Sequence, residues 1–266
     1  MNFLNIGKKI SYLKLIDIFV LAICCYLFYL KKYLIYELKN FKTYSQVYED
    51  LILLCIFYDV EKGFYVDIGA NDPDVISVTK AFYLRGWNGI NIEPLPDKYN
   101  TLLEKRPRDI NLQVGVGKNK GNATLYLSGV GSTIYKNLNK KPLKSINIKI
   151  DTMANICKDY IKRKLKIQFC KIDVEGSEKN VLLGFDFKNY RPQVFLIEST
   201  LPGTMIPSYS SWEYILINNN YSFVYQYSIN RFYVDNSNTF IAKRFYKIDK
   251  YIKLFKSLQD KEKNQK

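Results

Sequence analysis

From Ser45 onward the chain alternates short, β-branched apolar runs with stretches of helical period, a pattern that predicts parallel βαβ units. Phe64 to Ile68 reads as the first strand, Gly89 to Glu93 as the second and Ile110 to Val114 as the third. Gln168 to Asp173 and Gln193 to Glu198 follow as the fourth and fifth, and both are apolar enough to lie at the centre of a sheet. Gly86 stops the helix after the first strand, Pro96 opens the next, and Asp151 or Thr152 caps a helix reaching about Tyr160. Thr124 to Leu127 and the alternation Ile146, Ile148, Ile150 predict an inserted strand pair. Ser222 to Gln226 and Arg231 to Val234 predict a closing antiparallel pair.

The two ends follow other patterns. The uninterrupted apolar run Ile18 to Leu30 falls short of the ~20 residues that span a bilayer, and Lys14 and Asp17 interrupt its extension upstream. Snorkelling of Lys14 and Lys31 would allow a short span; a buried or interfacial helix is the alternative. No small-residue cleavage site follows, and the bulky Ile23 before Cys24 does not suit a lipoprotein signal. From Lys243 to Lys266, Phe245, Ile248, Tyr251, Ile252 and Phe255 recur at helical spacing among lysines. Such a basic amphipathic helix either lies on an anionic membrane surface or caps the core. The expected division is a hydrophobic and basic segment at 1–43, a catalytic domain at 44–242 and a basic tail at 243–266.

Composition narrows the chemistry. With 266 residues, 47% of them hydrophobic, one substantial core is expected. A net charge of +15 suggests contact with phosphate in nucleic acid, anionic lipid or a nucleotide-linked substrate, or else a lysine-rich solvated surface. The chain has no histidine, so Ser-His-Asp triads, Cys-His pairs and imidazole metal sites are excluded, and a general base must be Asp, Glu, Lys or Tyr. Cys24, Cys25, Cys55, Cys157 and Cys170 sit in apolar stretches without C-x-x-C spacing, which reads as reduced packing residues of a cytoplasmic protein and gives no zinc site.

Three stretches carry candidate chemistry. In G-F-Y-V-D-I-G-A-N-D, Gly63 to Asp72, a buried strand ends in Asp67 and then Gly69, where a missing Cβ lets a ligand approach the carboxyl edge of the sheet. One glycine does not make the G-x-G-x-x-G dinucleotide fingerprint, so hydride transfer with NAD is disfavoured; a tight turn rich in Asp and Asn is the bland alternative. Glu93 ends the second strand in G-I-N-I-E-P, a place where an acid accepts hydrogen bonds from ribose hydroxyls. In C-K-I-D-V-E-G-S-E, Cys170 to Glu178, alternation puts Lys171 and Asp173 on one side, and Asp173 and Glu175 fall at the ligand edge. These acids could deprotonate an acceptor or hold a divalent cation. A helix start with Ser177 as its cap explains Ser177 and Glu178 but not Asp173.

The order D-I-G-A-N (67 to 71), R-G-W-N-G-I-N-I-E-P (85 to 94), K-I-D-V-E-G-S-E (171 to 178) and V-F-L-I-E-S (194 to 199) resembles the FkbM family of methyltransferases. The likeness extends to Y-S-Q-V-Y-E-D at 44 to 50 and I-N-R-F-Y-V at 229 to 234. It implies an α/β, Rossmann-like class I methyltransferase fold: a mostly parallel seven-stranded sheet with helices on both faces and a terminal antiparallel pair. It also implies S-adenosylmethionine as cofactor and a sugar or glycan hydroxyl as acceptor, in small-molecule, polymeric or nucleotide-linked form. On matching positions, Asp67, Gly69, Ala70 and Asn71 would meet the methionine end, Glu93 the ribose, and Asp173 would lie nearest the methyl group. Glu175 and Glu198 stand behind Asp173 as alternative bases, and a Mg²⁺ or Mn²⁺ bridging these carboxylates is a variant. Gln46 and Asp50, four apart on a predicted helix, either close over the cofactor or belong to a packing helix. The chain departs from the family at Asp72-Pro73-Asp74, where many members have glycine, which puts the first loop in question.

Two rival readings remain. The charge suggests an RNA methyltransferase, but Asp-Val-Glu-Gly stands where base-methylating enzymes carry Asn/Asp-Pro-Pro-aromatic. A membrane-associated binding module that kept the fold without turnover would make the basic ends its functional parts, at the inner face of the membrane. The joint presence of Gly69, Glu93 and Asp173 argues against it.

Overall fold

The computed structural model describes residues 32–128, 131–133 and 144–263, so the apolar segment at 13–30 lies outside the described residues. Lys42–Lys250 form one compact unit, and the described parts of Met1–Phe41 and Tyr251–Lys266 form another. The smaller unit comprises helix α1, residues 32–40, and most of the C-terminal helix; the Phe41 and Phe255 rings meet edge to face at 6.3 Å. Among the described residues, no helix is long and apolar enough to cross a membrane.

The larger unit opens with α2 (Glu49–Phe57) and then alternates strand and helix: β1 (Phe64–Ile68), α3 (Lys80–Leu84), β2 (Asn88–Ile92), α4 (Pro96–Lys105) and β3 (Ile110–Leu112). After an inserted sheet come α5 (Met153–Tyr160), β8 (Phe169–Ile172), α6 (Glu178–Leu183), β9 (Val194–Glu198) and α7 (Glu213–Asn218). The antiparallel pair β10 (Tyr221–Tyr227) and β11 (Asn230–Asp235), α8 (Thr239–Phe245) and α9 (Ile248–Lys263) complete the order. The main sheet runs β10-β11-β9-β8-β1-β2-β3; β11 is antiparallel to both neighbours and the remaining pairs are parallel. This is the seven-stranded, Rossmann-like arrangement expected from the sequence.

Every residue of β8 and β9 is buried, as continuous apolar runs at the centre of a parallel sheet require. Alternation sorts their side chains. Val66, Ile68, Ile90, Ile92, Cys170, Ile172, Phe195 and Ile197 join one apolar cluster with α5, α6 and α7. Tyr65 and Phe169 point to the other face, where they stack at 5.7 Å and meet Phe57, Phe82 and Trp87. Burial of each such side chain stabilises the fold by ~1.5–3 kcal/mol. Gly89 is required there, because a Cβ would lie 2.2 Å from the Tyr65 ring. Cys55, Cys157 and Cys170 are buried and free, in keeping with a packing role.

The run from Ile110 to Val114 is not one strand. The main sheet takes it only to Leu112, and β4 (Gly115–Val116) joins a second sheet, β4-β7-β5-β6, with β5 (Gly121–Ser128), β6 (Gly131–Thr133) and β7 (Lys144–Asp151). The turn-off works because Gly115 passes under β7, where a Cβ would stand 2.6 Å from Ile150. The expected pair 124–127 and 146–150 is thus the middle of a four-stranded sheet, with β5 and β7 antiparallel. Thr152 caps α5, its hydroxyl accepting from the Asn155 amide at 3.2 Å. At the start of the tail, Phe245 packs on Phe232 at 5.6 Å and Ile248 is buried, so these apolar positions cover core.

Candidate active site

The sheet order reverses between β1 and β8: β2 and β3 extend one way from β1, β9 extends the other way from β8. Loops leaving the carboxyl ends of these two strands diverge and open a crevice, the place where open α/β sheets bind ligands. The turn after β1 is held down by one acceptor, the Ile92 carbonyl, which receives the Gly69 and Ala70 amides at 3.0 and 3.2 Å. Gly69 and Asn71 have φ of 78° and 49°. A Cβ at Gly69 would sit 1.8 Å from the Asp173 carbonyl oxygen, so the loop leaving β8 by itself demands the glycine.

Glu93 stands just beyond β2 and binds this turn from the side. Its Oε2 accepts the Asn71 amide and its Oε1 the Leu95 amide, both at 2.9 Å. Burial pushes its carboxyl above the usual range, and these two amides pull it back. A carboxylate has about four lone-pair sites, so each oxygen keeps capacity for one more donor, as a ribose diol provides.

Lys171 organises the crevice floor, a role the sequence reading did not assign. Asp67 and Lys171 are register partners on adjacent strands. The buried ammonium donates to the Gly69 carbonyl at 2.9 Å and pairs with Asp67 at 3.1 Å and Asp173 at 3.5 Å. Burial would lower its pKa, but Asp67 and Asp173 outweigh that and raise it. The other oxygen of Asp67 accepts the Thr79 hydroxyl at 2.9 Å. With both oxygens engaged and 1% of its surface exposed, Asp67 supports the turn through Lys171 and is not presented to a ligand.

Beyond β8 and β9 three of the expected acids gather with a fourth. Glu198 follows Ile197, which pairs with Ile172, so it lies beside Asp173. No donor reaches the buried Glu198 Oε2. Burial, then the charges of Asp173 and Glu175, push its carboxyl up to about 9. The Asp173 side chain beside it is 42% exposed. Burial and Asp173 push Glu175 up to about 7. Glu175 has φ of 53°, and its loop is pinned by the Thr133 hydroxyl on the Glu175 carbonyl at 2.9 Å and by Glu178 Oε1 accepting the Gly176 amide at 3.0 Å. Ser177 precedes α6 without a side-chain capping bond, so the capping explanation fails for it. Among the described residues, no group of three or more Cys, Asp or Glu side chains is arranged to hold a metal ion.

Gln46 and Asp50 do not share a helical face. Helix α2 starts only at Glu49, after Tyr48 at φ 68°, and Gln46 lies exposed before it. Asp50 is consumed by its own loop, accepting the Thr43 and Ser45 hydroxyls at 2.7 and 2.6 Å and the Tyr44 and Leu51 amides at 2.6 and 2.8 Å. The reach toward the sheet belongs instead to Glu49, whose Oε1 accepts from Asn230, the register partner of Glu198, at 2.9 Å. The departures at 72–74 are structural too. Asp72 accepts the Asp74 and Val75 amides and pairs with Lys98 at 3.0 Å, and Asp74 pairs with Lys80 at 2.7 Å. Beneath them the buried Arg106 donates to the Pro73 carbonyl at 2.5 Å and the Ser77 hydroxyl at 3.1 Å.

A sequence model of the methyltransferase FkbM domain matches residues 67–225, which run from the end of β1 into β10 and include every acid of the crevice described above except Glu49 and Asp50. No curated protein matches the chain.

Proposed function

The chain belongs to the FkbM family of methyltransferases, and from that premise we propose that it transfers the methyl group of S-adenosylmethionine to a hydroxyl oxygen of a sugar, free or within a glycan or nucleotide-linked acceptor. The observation that carries the reading is the crevice between β1 and β8. On one side Glu93, braced against the Gly69–Asn71 turn, keeps acceptor capacity suited to a ribose; on the other Asp173 stands accessible beside Lys171. S-adenosylmethionine, when bound, supplies a methyl group on a cationic sulfur, open to in-line displacement.

The protein's first contribution is alignment of acceptor and methyl group, which lowers the barrier without a reactive side chain. Asp173 supplies the second by taking the proton from the attacking hydroxyl, and a placed base contributes ~10²–10⁴ in rate. Lys171, paired with Asp173 at 3.5 Å, holds it in orientation. Calorimetry tests the cofactor reading: the folded protein should bind S-adenosylmethionine, and Glu93→Ala should weaken binding by ~1.5–3 kcal/mol, the worth of a hydrogen bond to a charged group. Single-turnover assays test the base. Asp173→Asn should keep cofactor affinity within a few-fold while turnover drops by ~10² or more. A folded wild type that binds no S-adenosylmethionine would overturn the reading.

A further inference from the structure

The segments that follow β8 and β9 carry polar groups that no hydrogen bond of the described fold uses. Ser177 Oγ and Thr200 Oγ1 are buried without a hydrogen-bond partner, in residues only 4% and 5% exposed. Buried hydroxyls are nearly always hydrogen-bonded, so these two, four residues after Asp173 and two after Glu198, call for a partner that the fold does not supply. Neither has a structural task. Ser177 stands at the start of α6 without capping it, and Glu178 takes the Gly176 amide instead. Thr200 lies two residues beyond Glu198, in an extended stretch bridged to Pro207, so alternation puts it on the Glu198 side. Ser199, on the opposite side, satisfies its hydroxyl at the Ile229 carbonyl at 2.6 Å.

The charge around these hydroxyls is one-sided. The charges of Asp173, Glu175 and Glu178 all bear on Glu198, and Lys171 is already committed to Asp67, Asp173 and the Gly69 carbonyl. On the next strand, Arg231 is committed to Glu213 at 2.8 Å and stacks on Tyr209 and Phe223. A carboxylate or phosphate entering here would find like charges and no uncommitted cation among these groups. A hydroxyl, which both donates and accepts, complements Ser177, Thr200 and the Asp173 side chain together.

We propose that Ser177 and Thr200 form the acceptor subsite beside Asp173, and that this subsite takes an uncharged polyol and rejects sugar acids and sugar phosphates at the reacting ring. The proposal rests on the methyltransferase reading above. A nucleotide diphosphate on the acceptor must then lie away from this end.

The test uses the full chain loaded with S-adenosylmethionine. The probes are methyl glycosides of neutral hexoses and 6-deoxyhexoses, together with the matching uronates and 6-phosphates, and the readout is S-adenosylhomocysteine formation. At least one neutral glycoside should turn over, with kcat/KM about tenfold or more above its uronate and phosphate, the scale of one uncompensated charge. Thr200→Val and Ser177→Ala should each raise KM for that glycoside about fivefold or more, as loss of one hydrogen bond does. Their S-adenosylmethionine affinity should stay within about twofold. Glu175→Gln should narrow the preference for neutral over anionic sugars. Equal use of uronates, unchanged KM in both hydroxyl variants, or a KM rise matched by lost cofactor affinity would each overturn the subsite. So would cofactor binding without turnover of any neutral glycoside, whereas failure to bind S-adenosylmethionine at all sinks the proposed function instead.

Discussion

Replacing Lys171 with methionine preserves side-chain length and apolar stem but removes the charge on which the crevice floor converges. Asp67, with 1% of its surface exposed, would then keep only the Thr79 hydroxyl, Asp173 would lose its cation, and the Gly69 carbonyl its donor. Removing one partner of a buried ion pair costs ~3–5 kcal/mol, because the other charge stays desolvated. Against a total stability of ~5–15 kcal/mol the variant should still fold, with a much lower urea midpoint. The lysine's folded pKa is raised, so its contribution is fully present below the unfolded value of ~10.4 and is lost only as pH rises through the higher folded value. Between about pH 6 and 9 its titration therefore adds no slope to the difference between variant and wild type. Equilibrium urea unfolding measures the loss, and Asp67→Asn in the Lys171→Met background should restore part of it, since no unpaired carboxylate is then buried there. A Lys171→Met protein within about 1 kcal/mol of wild type, or a double variant no more stable than the single, would refute the reasoning.

Two further outcomes follow from the same edge of the sheet. Gly69→Ala should destabilise by at least ~2 kcal/mol, since it adds a left-handed backbone penalty to a Cβ placed 1.8 Å from the Asp173 carbonyl; a melting temperature equal to wild type would contradict this. The carboxyls of Glu175 and Glu198 titrate in the folded chain at about 7 and about 9, above their ordinary value of 4.5, so the folded state holds extra protons between those values. The stability they confer is fully present below pH 4.5 and is lost as pH rises through 7 and 9; the melting temperature should fall across that window, and Glu198→Gln should flatten its upper half.

The parts of the site legible in the sequence are those where a residue type conflicts with its local pattern. An acid at the end of an apolar strand has no packing reason to be there, which is why Glu93 and Asp173 stand out in G-I-N-I-E-P and C-K-I-D-V-E. The strands themselves were readable for the same reason: runs as apolar as β8 and β9 fit only the middle of a parallel sheet. Local periodicity failed where a loop uses side chains to hold itself. Helical spacing put Gln46 and Asp50 on one face, but the donors to Asp50 come from Thr43, Tyr44 and Ser45, and Tyr48 in the left-handed region delays the helix to Glu49. At Gly69 the structure adds a reason the sequence could not show, a backbone oxygen 104 residues later in the chain.

Lys171 was partly visible, as a lysine inside an otherwise apolar strand and on the same side as Asp173, but its role is set by register. It pairs with Asp67 only because Asp67↔Lys171 is the cross-strand match. Register also separates the candidate bases from one another. The sequence reading puts Asp173 first with Glu175 and Glu198 behind it, and the Ile172↔Ile197 match adds that Glu198 lies beside Asp173 with its Oε2 buried and beyond the reach of any donor. Of the two adjacent carboxyls Glu198 is buried, which pushes its carboxyl up, while Asp173 is the more exposed and lies next to a lysine. The assignment of Asp173 as base thus depends on one register match between neighbouring strands; a slip by one residue would flip these side chains to opposite faces and dissolve the pair.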